Sequence, residues 1–167
     1  MLPRRTSVRG RVVVDVIIPP RYPFADRLYP HALAVLERLG ALGPAVILSD
    51  GDVVFQPRKV ERAGIADAVD GRVLIYLHKE EQLDDIERRY PAEHYVLVDD
   101  KLRILTAVKK AWDKRVTTVF VRQGSYAHDR TEIGAFPPAD ATIERIADLL
   151  KSDIPAMQAI SPRRASA

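Results

Sequence analysis

Apolar and polar positions along this chain fall into blocks that switch between two periods. Val12-Val13-Val14-Asp15-Val16-Ile17-Ile18 is a β-branched run broken by one acid; it predicts a buried strand, stopped by Pro19-Pro20. From Leu28 to Leu42 the apolar residues Leu28, Ala32, Val35, Leu36 and Leu39 share one helical face, and Gly40 with Gly43-Pro44 ends that helix. Ala45-Val46-Ile47-Leu48 predicts the second strand, Val53 to Ala63 a helix with Pro57 near its start, and Gly64 to Gly71 a turn. Val73 to Leu77 is the third expected strand. Glu80 to Arg89 is a helix with Leu83 and Ile86 inward, and Pro91 breaks it before the fourth strand, Tyr95 to Val98. Leu102, Ile104, Leu105, Val108, Ala111 and Trp112 mark the next helix, and Val116 to Val121 the fifth strand. Gln123-Gly124-Ser125 reads as a turn, and Tyr126 to Pro138 as irregular. Ala141-Thr142-Ile143 is a short sixth strand, followed by a final helix from Ile143 to Leu150.

Strands alternating with helices over short connections predict an α/β fold: a Rossmann-like three-layer sandwich with a mainly parallel sheet of five or six strands and no cap domain. The expected organisation is a basic flexible lead-in over 1–11, one core domain over 12–152 and a tail over 153–167. A chain of 167 residues is long enough to bury one proper core.

Composition narrows the function classes. With no cysteine there is no disulfide, no thiolate metal site and no cysteine nucleophile. No apolar run approaches the roughly 20 residues that span a bilayer, and the basic start lacks the apolar region of a secretory signal, so the expectation is a cytoplasmic protein with no membrane partner. The net charge of +3 is carried by the ends, through Arg4, Arg5, Arg9, Arg11, Arg163 and Arg164. The body has no basic stripe interleaved with aromatics, which argues against nucleic acid as a partner.

The expected strand ends carry the chemistry. In order they present Asp15, then Ser49 with Asp50 and Gly51, then Lys79, then the adjacent pair Asp99 and Asp100. Parallel strands put these ends on one edge, where α/β proteins bind ligands. Adjacent carboxylates repel unless a cation joins them, and Mg²⁺ takes such hard oxygen ligands. A carboxylate such as Asp15 can attack phosphorus; a hydroxyl and backbone N–H groups around Ser49-Asp50-Gly51, with the lysine, can hold phosphoryl oxygens. Plainer roles compete. Asp99 can cap the following helix with Asp100 solvated in its first turn, Ser49 can be a turn hydroxyl, and Asp15 can be a strand acid. Lys59 and Lys101 compete with Lys79 for the lysine's place.

These motifs in this order resemble the haloacid-dehalogenase-like hydrolase superfamily. Leu28 to Leu39 is similar to the family's helix after the cap insertion, Val46-Ile47-Leu48-Ser49-Asp50-Gly51-Asp52 to its second motif, Lys79 to its third-motif lysine and Val98-Asp99-Asp100 to its fourth. The likeness runs from about Tyr22 to Leu150. It implies Ser49, Asp50, Gly51 and Lys79 on phosphate, and Mg²⁺ on Asp99, Asp100 and Asp15. The first motif departs from the family's Asp-x-Asp: Asp15 stands at the nucleophile position, but Ile17 occupies the place of the second acid. The resemblance thus describes an N-terminally reduced member without a complete first motif or cap. The function it implies is a Mg²⁺-dependent phosphohydrolase working through an aspartyl-phosphate at Asp15, on a small phosphorylated substrate. The alternative is an inactive phosphate- or metal-binding or protein-interaction module, with Phe24, Tyr29 and Phe55 on an uncapped surface that supports a homodimer. A receiver-like phosphoacceptor fits less well, since receivers carry their acid pair after the first strand.

Overall fold

The structure is a computed structural model, and it describes residues 8–14, 28–50 and 64–158. Among these residues, strand β1 (Val8–Val14) is followed by helix α1 (Ala32–Leu42) and β2 (Ala45–Asp50). A short helix α2 (Ile65–Ala68) leads to β3 (Val73–Tyr76), then α3 (Leu83–Arg89), β4 (Ala92–Asp99), α4 (Leu102–Trp112) and β5 (Val116–Val121). The chain continues through α5 (Arg130–Ala135), β6 (Ala141–Ile143), a 3₁₀ turn over Ile146–Leu150 and α6 (Ile154–Gln158). The expected helix over 53–63 and the strand residues beyond Val14 lie outside the described residues.

The six strands form one all-parallel sheet in the order β3-β2-β1-β4-β5-β6. This is the Rossmann-like α/β architecture expected. The chain starts in the middle, steps outward to β3, then returns to the other side of β1 to lay down β4. That reversal makes a topological switch point between β1 and β4, where Val14 pairs with both Ile47 and Val98.

Strict alternation along each strand sorts the core into two layers. Val12, Val14, Ile47, Val96, Val98, Val119 and Val121 face α1, where Val35, Leu36 and Leu39 are buried. Val13, Val46, Leu48, Tyr95, Leu97 and Phe120 face α3 and α4, through Ile86, Ile104, Leu105 and Val108. Tyr95 stacks on Trp112 with ring centroids 4.3 Å apart, and its hydroxyl donates to Tyr90 O and accepts from Ala92 N. Lys109 and Lys110 close α4 at the end that favours positive charge.

Several boundaries differ from expectation for local reasons. β1 begins at Val8, inside the expected lead-in, because the backbone of Val8 and Gly10 pairs with Ala92 and His94. The same pairing starts β4 at Ala92 rather than Tyr95. The expected turn at 64–71 contains the single helical turn α2, which buries Ile65. The expected irregular stretch contains α5, started by Asp129, whose carboxylate accepts from Thr131 N and Glu132 N. The last expected helix is 3₁₀, and α6 follows within the expected tail and buries Ile154. No helix among the described residues is long and apolar enough to cross a membrane.

Candidate functional site

The carboxyl edge beside the switch point gathers the polar residues the sequence singled out. β2 ends at Ser49 and Asp50, in register with Ile75 and Tyr76 of β3. Beyond β3 the chain exposes Leu77 and turns inward, so that Lys79 opens a 3₁₀ turn over Lys79–Glu81 with its side chain wholly buried. Asp50 anchors that turn: its Oδ1 accepts the Lys79 N–H at 3.3 Å. The lysine reaches the end of β4, where Nζ stands 2.5 Å from Asp99 Oδ2, and neither side chain is exposed. Among the described residues, no other hydrogen bond is made to the oxygen that this ammonium meets. Asp99 Oδ1 accepts the Lys101 N–H at 2.9 Å, a two-residue turn that ends the strand and aims the chain into α4. Asp99 therefore does not cap α4; Lys101 holds the cap position, without a side-chain cap.

Asp100 and Lys101 face the rim. Asp100 is 8% exposed. It lies beside the loop after β5, where Gly124 adopts a φ of +94° and a Cβ on it would stand 3.0 Å from Asp100 Oδ2 and 2.8 Å from the Tyr29 hydroxyl. Tyr29 sits just ahead of α1, and burial, with a smaller contribution from the Asp100 charge, pushes its hydroxyl pKa up. Lys101 Nζ lies 4.7 Å from the centroid of the Tyr126 ring and 3.7 Å from Asp50 Oδ2.

The predicted residues separate into two groups. Ser49, Asp50, Lys79, Asp99 and Asp100 are brought to one edge. Asp15 and Gly51 lie outside the described residues, as do Lys59, Phe24 and Phe55. Within the edge, charge has sorted the roles further. Both Asp50 oxygens are directed at lysine groups, and both Asp99 oxygens are engaged by Lys79 and the Lys101 N–H. Lys101, the competitor, packs at the rim while Lys79 takes the interior. Tyr29, expected on an open apolar patch, instead packs partly against the core with its hydroxyl at the site. Gly124 was legible only as a turn glycine; nothing in its sequence neighbourhood announces Asp100 or Tyr29.

Among the described residues no three His, Asp or Glu side chains converge into a ready metal cage. A magnesium ion does not need one, since it keeps waters and takes one or two carboxylates together with substrate oxygens. The donor set fits: a nearly buried carboxylate, Asp100, faces a space that a side chain at position 124 would fill.

Neither a family model nor a curated protein matches the chain. Solved structures do. A haloacid dehalogenase-like hydrolase from Burkholderia xenovorans LB400 is 65% identical, with a TM-score of 0.76 over 80% of this chain. This chain spans 62% of that protein's length. A haloacid dehalogenase-like family hydrolase from Xanthomonas campestris shares the fold at 14% identity and a TM-score of 0.61, over 86% of this chain and 60% of its own. The D,D-heptose 1,7-bisphosphate phosphatase of Burkholderia thailandensis shares it at 18% identity and a TM-score of 0.60, over 86% of this chain and 97% of its own. With its all-parallel sheet, its acid pair at the switch point and this 65% identity, the chain belongs to the haloacid-dehalogenase-like hydrolase superfamily.

Proposed function

We propose that this protein is a Mg²⁺-dependent phosphohydrolase acting on a small phosphorylated substrate. The observation that carries the reading is the buried Lys79–Asp99 pair set directly beside Asp100 at the carboxyl edge of the sheet. An ion pair this enclosed is weak support for stability but fixes a lysine in one orientation.

In this reading Asp100 is the ligand that Mg²⁺ would meet, with Asp15 as its proposed partner. Bound there, the ion supplies positive charge against the phosphoryl oxygens. Asp99 keeps Lys79 in place, and Asp50 seats the Lys79 turn and draws Lys101 to the rim. Ser49 offers its hydroxyl to a phosphoryl oxygen as charge builds. The Asp15 carboxylate attacks phosphorus, its new O–P bond forming as the bond to the leaving oxygen breaks. Water then cleaves the acyl-phosphate, returning the carboxylate and releasing inorganic phosphate. Ile17 supplies no proton to the leaving oxygen, so the roughly 10²–10⁴-fold help of a general acid is lost. Acyl- and aryl-phosphates, whose leaving groups need no proton, are the favoured substrates.

The test is hydrolysis of p-nitrophenyl phosphate with and without Mg²⁺ by wild type, Asp15→Asn and Asp100→Asn. Turnover that needs Mg²⁺ and is abolished by both substitutions is the expected result. A wild type no faster than Asp15→Asn overturns the catalytic reading.

A further inference from the structure

Three glycines among the described residues have positive φ: Gly64, Gly71 and Gly124. A Cβ built on Gly64 or Gly71 meets nothing within 4 Å. One built on Gly124 meets the Tyr29 hydroxyl oxygen at 2.8 Å and Asp100 Oδ2 at 3.0 Å. Gly124 is thus set apart by the space its missing side chain leaves, beyond the backbone freedom all three share. Both contacts are with the ends of side chains, so one of these must shift to admit a methyl group. Tyr29 is packed partly against the core around α1, and Asp100 is nearly buried and follows Asp99, which is tied to Lys79 and the Lys101 N–H.

We propose that Gly124 is a positioning residue for the metal ligand: the side chain it lacks is the space in which the Asp100 carboxylate and the Tyr29 hydroxyl both stand against the β5–α5 loop. This rests on the reading of Asp100 as a Mg²⁺ ligand. A methyl group at position 124 must displace one of the two oxygens, and displacing Asp100 Oδ2 moves the ligand. Loss of the Tyr29 hydroxyl removes the shorter of the two contacts, so that a small shift of the loop can carry the methyl group away from Asp100.

The experiment is calorimetric titration of the full chain with Mg²⁺, with thermal unfolding in EDTA alongside, for wild type, Gly124→Ala, Tyr29→Phe and the double variant. Gly124→Ala is expected to weaken Mg²⁺ binding about tenfold or more, the range for residues that orient a ligand. The double variant is expected to regain part of that loss. Backbone strain from the positive φ is the same in both backgrounds and gives no such recovery. Should Gly124→Ala fail to fold, the same comparison is read from unfolding in EDTA: a double variant that folds supports the proposal, and one that does not overturns it. Gly124→Ala binding Mg²⁺ as tightly as wild type, or a loss that Tyr29→Phe leaves untouched, overturns the positioning role alone. A wild type that binds no Mg²⁺ overturns the metal reading and this role with it.

Discussion

Lys79 Nζ and Asp99 Oδ2 are 2.5 Å apart, and neither side chain is exposed to solvent. Both charges are held out of water at this contact, so removing one leaves the other less well compensated in the interior. Lys79→Met and Asp99→Leu are each expected to destabilise the fold by about 3–5 kcal/mol, while the double variant recovers most of that loss. Urea unfolding of the four proteins checks this. Two single losses that simply add in the double variant would show that the pair is not coupled. If Lys79 holds phosphate as proposed, Mg²⁺-dependent hydrolysis is expected to be absent in all three variants, the stable double variant included.

Asp100 is expected to matter for ligand binding. Its carboxylate is nearly buried beside the Tyr29 hydroxyl, whose pKa burial and that carboxylate both raise. Asp100→Asn keeps the shape of the side chain, so the unfolding temperature of each protein in EDTA serves as its own reference. Mg²⁺ at a hundred times its dissociation constant stabilises a native protein by about 2.7 kcal/mol. Wild type should show that gain and Asp100→Asn should not. A variant that Mg²⁺ still stabilises would remove Asp100 from the ligand set.

The parts legible in the sequence were those set by period and order. Val96 and Val98 against Tyr95 and Leu97 divide the two core layers, and the alternation that does so is visible in the residues themselves. So is the arrival of Ser49, Lys79 and the Asp99-Asp100 pair at one edge, because parallel strands align their ends. What was not legible within the acid pair is the partner of Asp99. The sequence offers Asp99 as a helix cap, and only the fold turns it inward onto Lys79. Tyr29 and Gly124 are 95 positions apart in the chain, and only the packing of the α1 approach against the β5–α5 loop brings them together. Helix α5 escaped because a short helix started by Asp129 has too few turns to show a period.

Asp140 makes the stability of the fold depend on pH. Its Oδ2 accepts the Thr118 N–H at 2.8 Å, the Lys109 ammonium at 2.9 Å and the Thr118 hydroxyl at 3.0 Å, tying the approach to β6 onto β5 and α4. Burial pushes this carboxyl up, but the Thr118 and Lys109 contacts together outweigh it, and the net shift is downward. The folded pKa lies below the unfolded one, so Asp140 contributes its stability fully above the usual carboxylate pKa of about 4 and loses it as pH falls through the folded value. Asp140→Ala is expected to cost about 2 kcal/mol at pH 7. The gap between wild type and variant should narrow as pH falls below about 4. Denaturant midpoints measured from pH 7 to pH 3 check both statements, and a gap that stays constant would mean the carboxylate's charge is not what matters.

The residue two places after Asp15 sets which leaving groups the proposed reaction tolerates. Ile17 stands where the family pattern has its second acid, so the substrate oxygen must leave without a proton from that position. Ile17→Asp restores the Asp-x-Asp spacing and is expected to raise hydrolysis of an alkyl phosphate by about 10²-fold or more, the usual worth of a positioned general acid. Hydrolysis of p-nitrophenyl phosphate should change little, because nitrophenolate departs unprotonated. Rates for the two substrates with wild type and Ile17→Asp therefore form the check, read as a ratio so that differences in folded fraction cancel. An alkyl-to-aryl ratio that does not rise would show that Asp15 and position 17 do not act as a first motif, and that the nucleophile must be sought elsewhere on this edge.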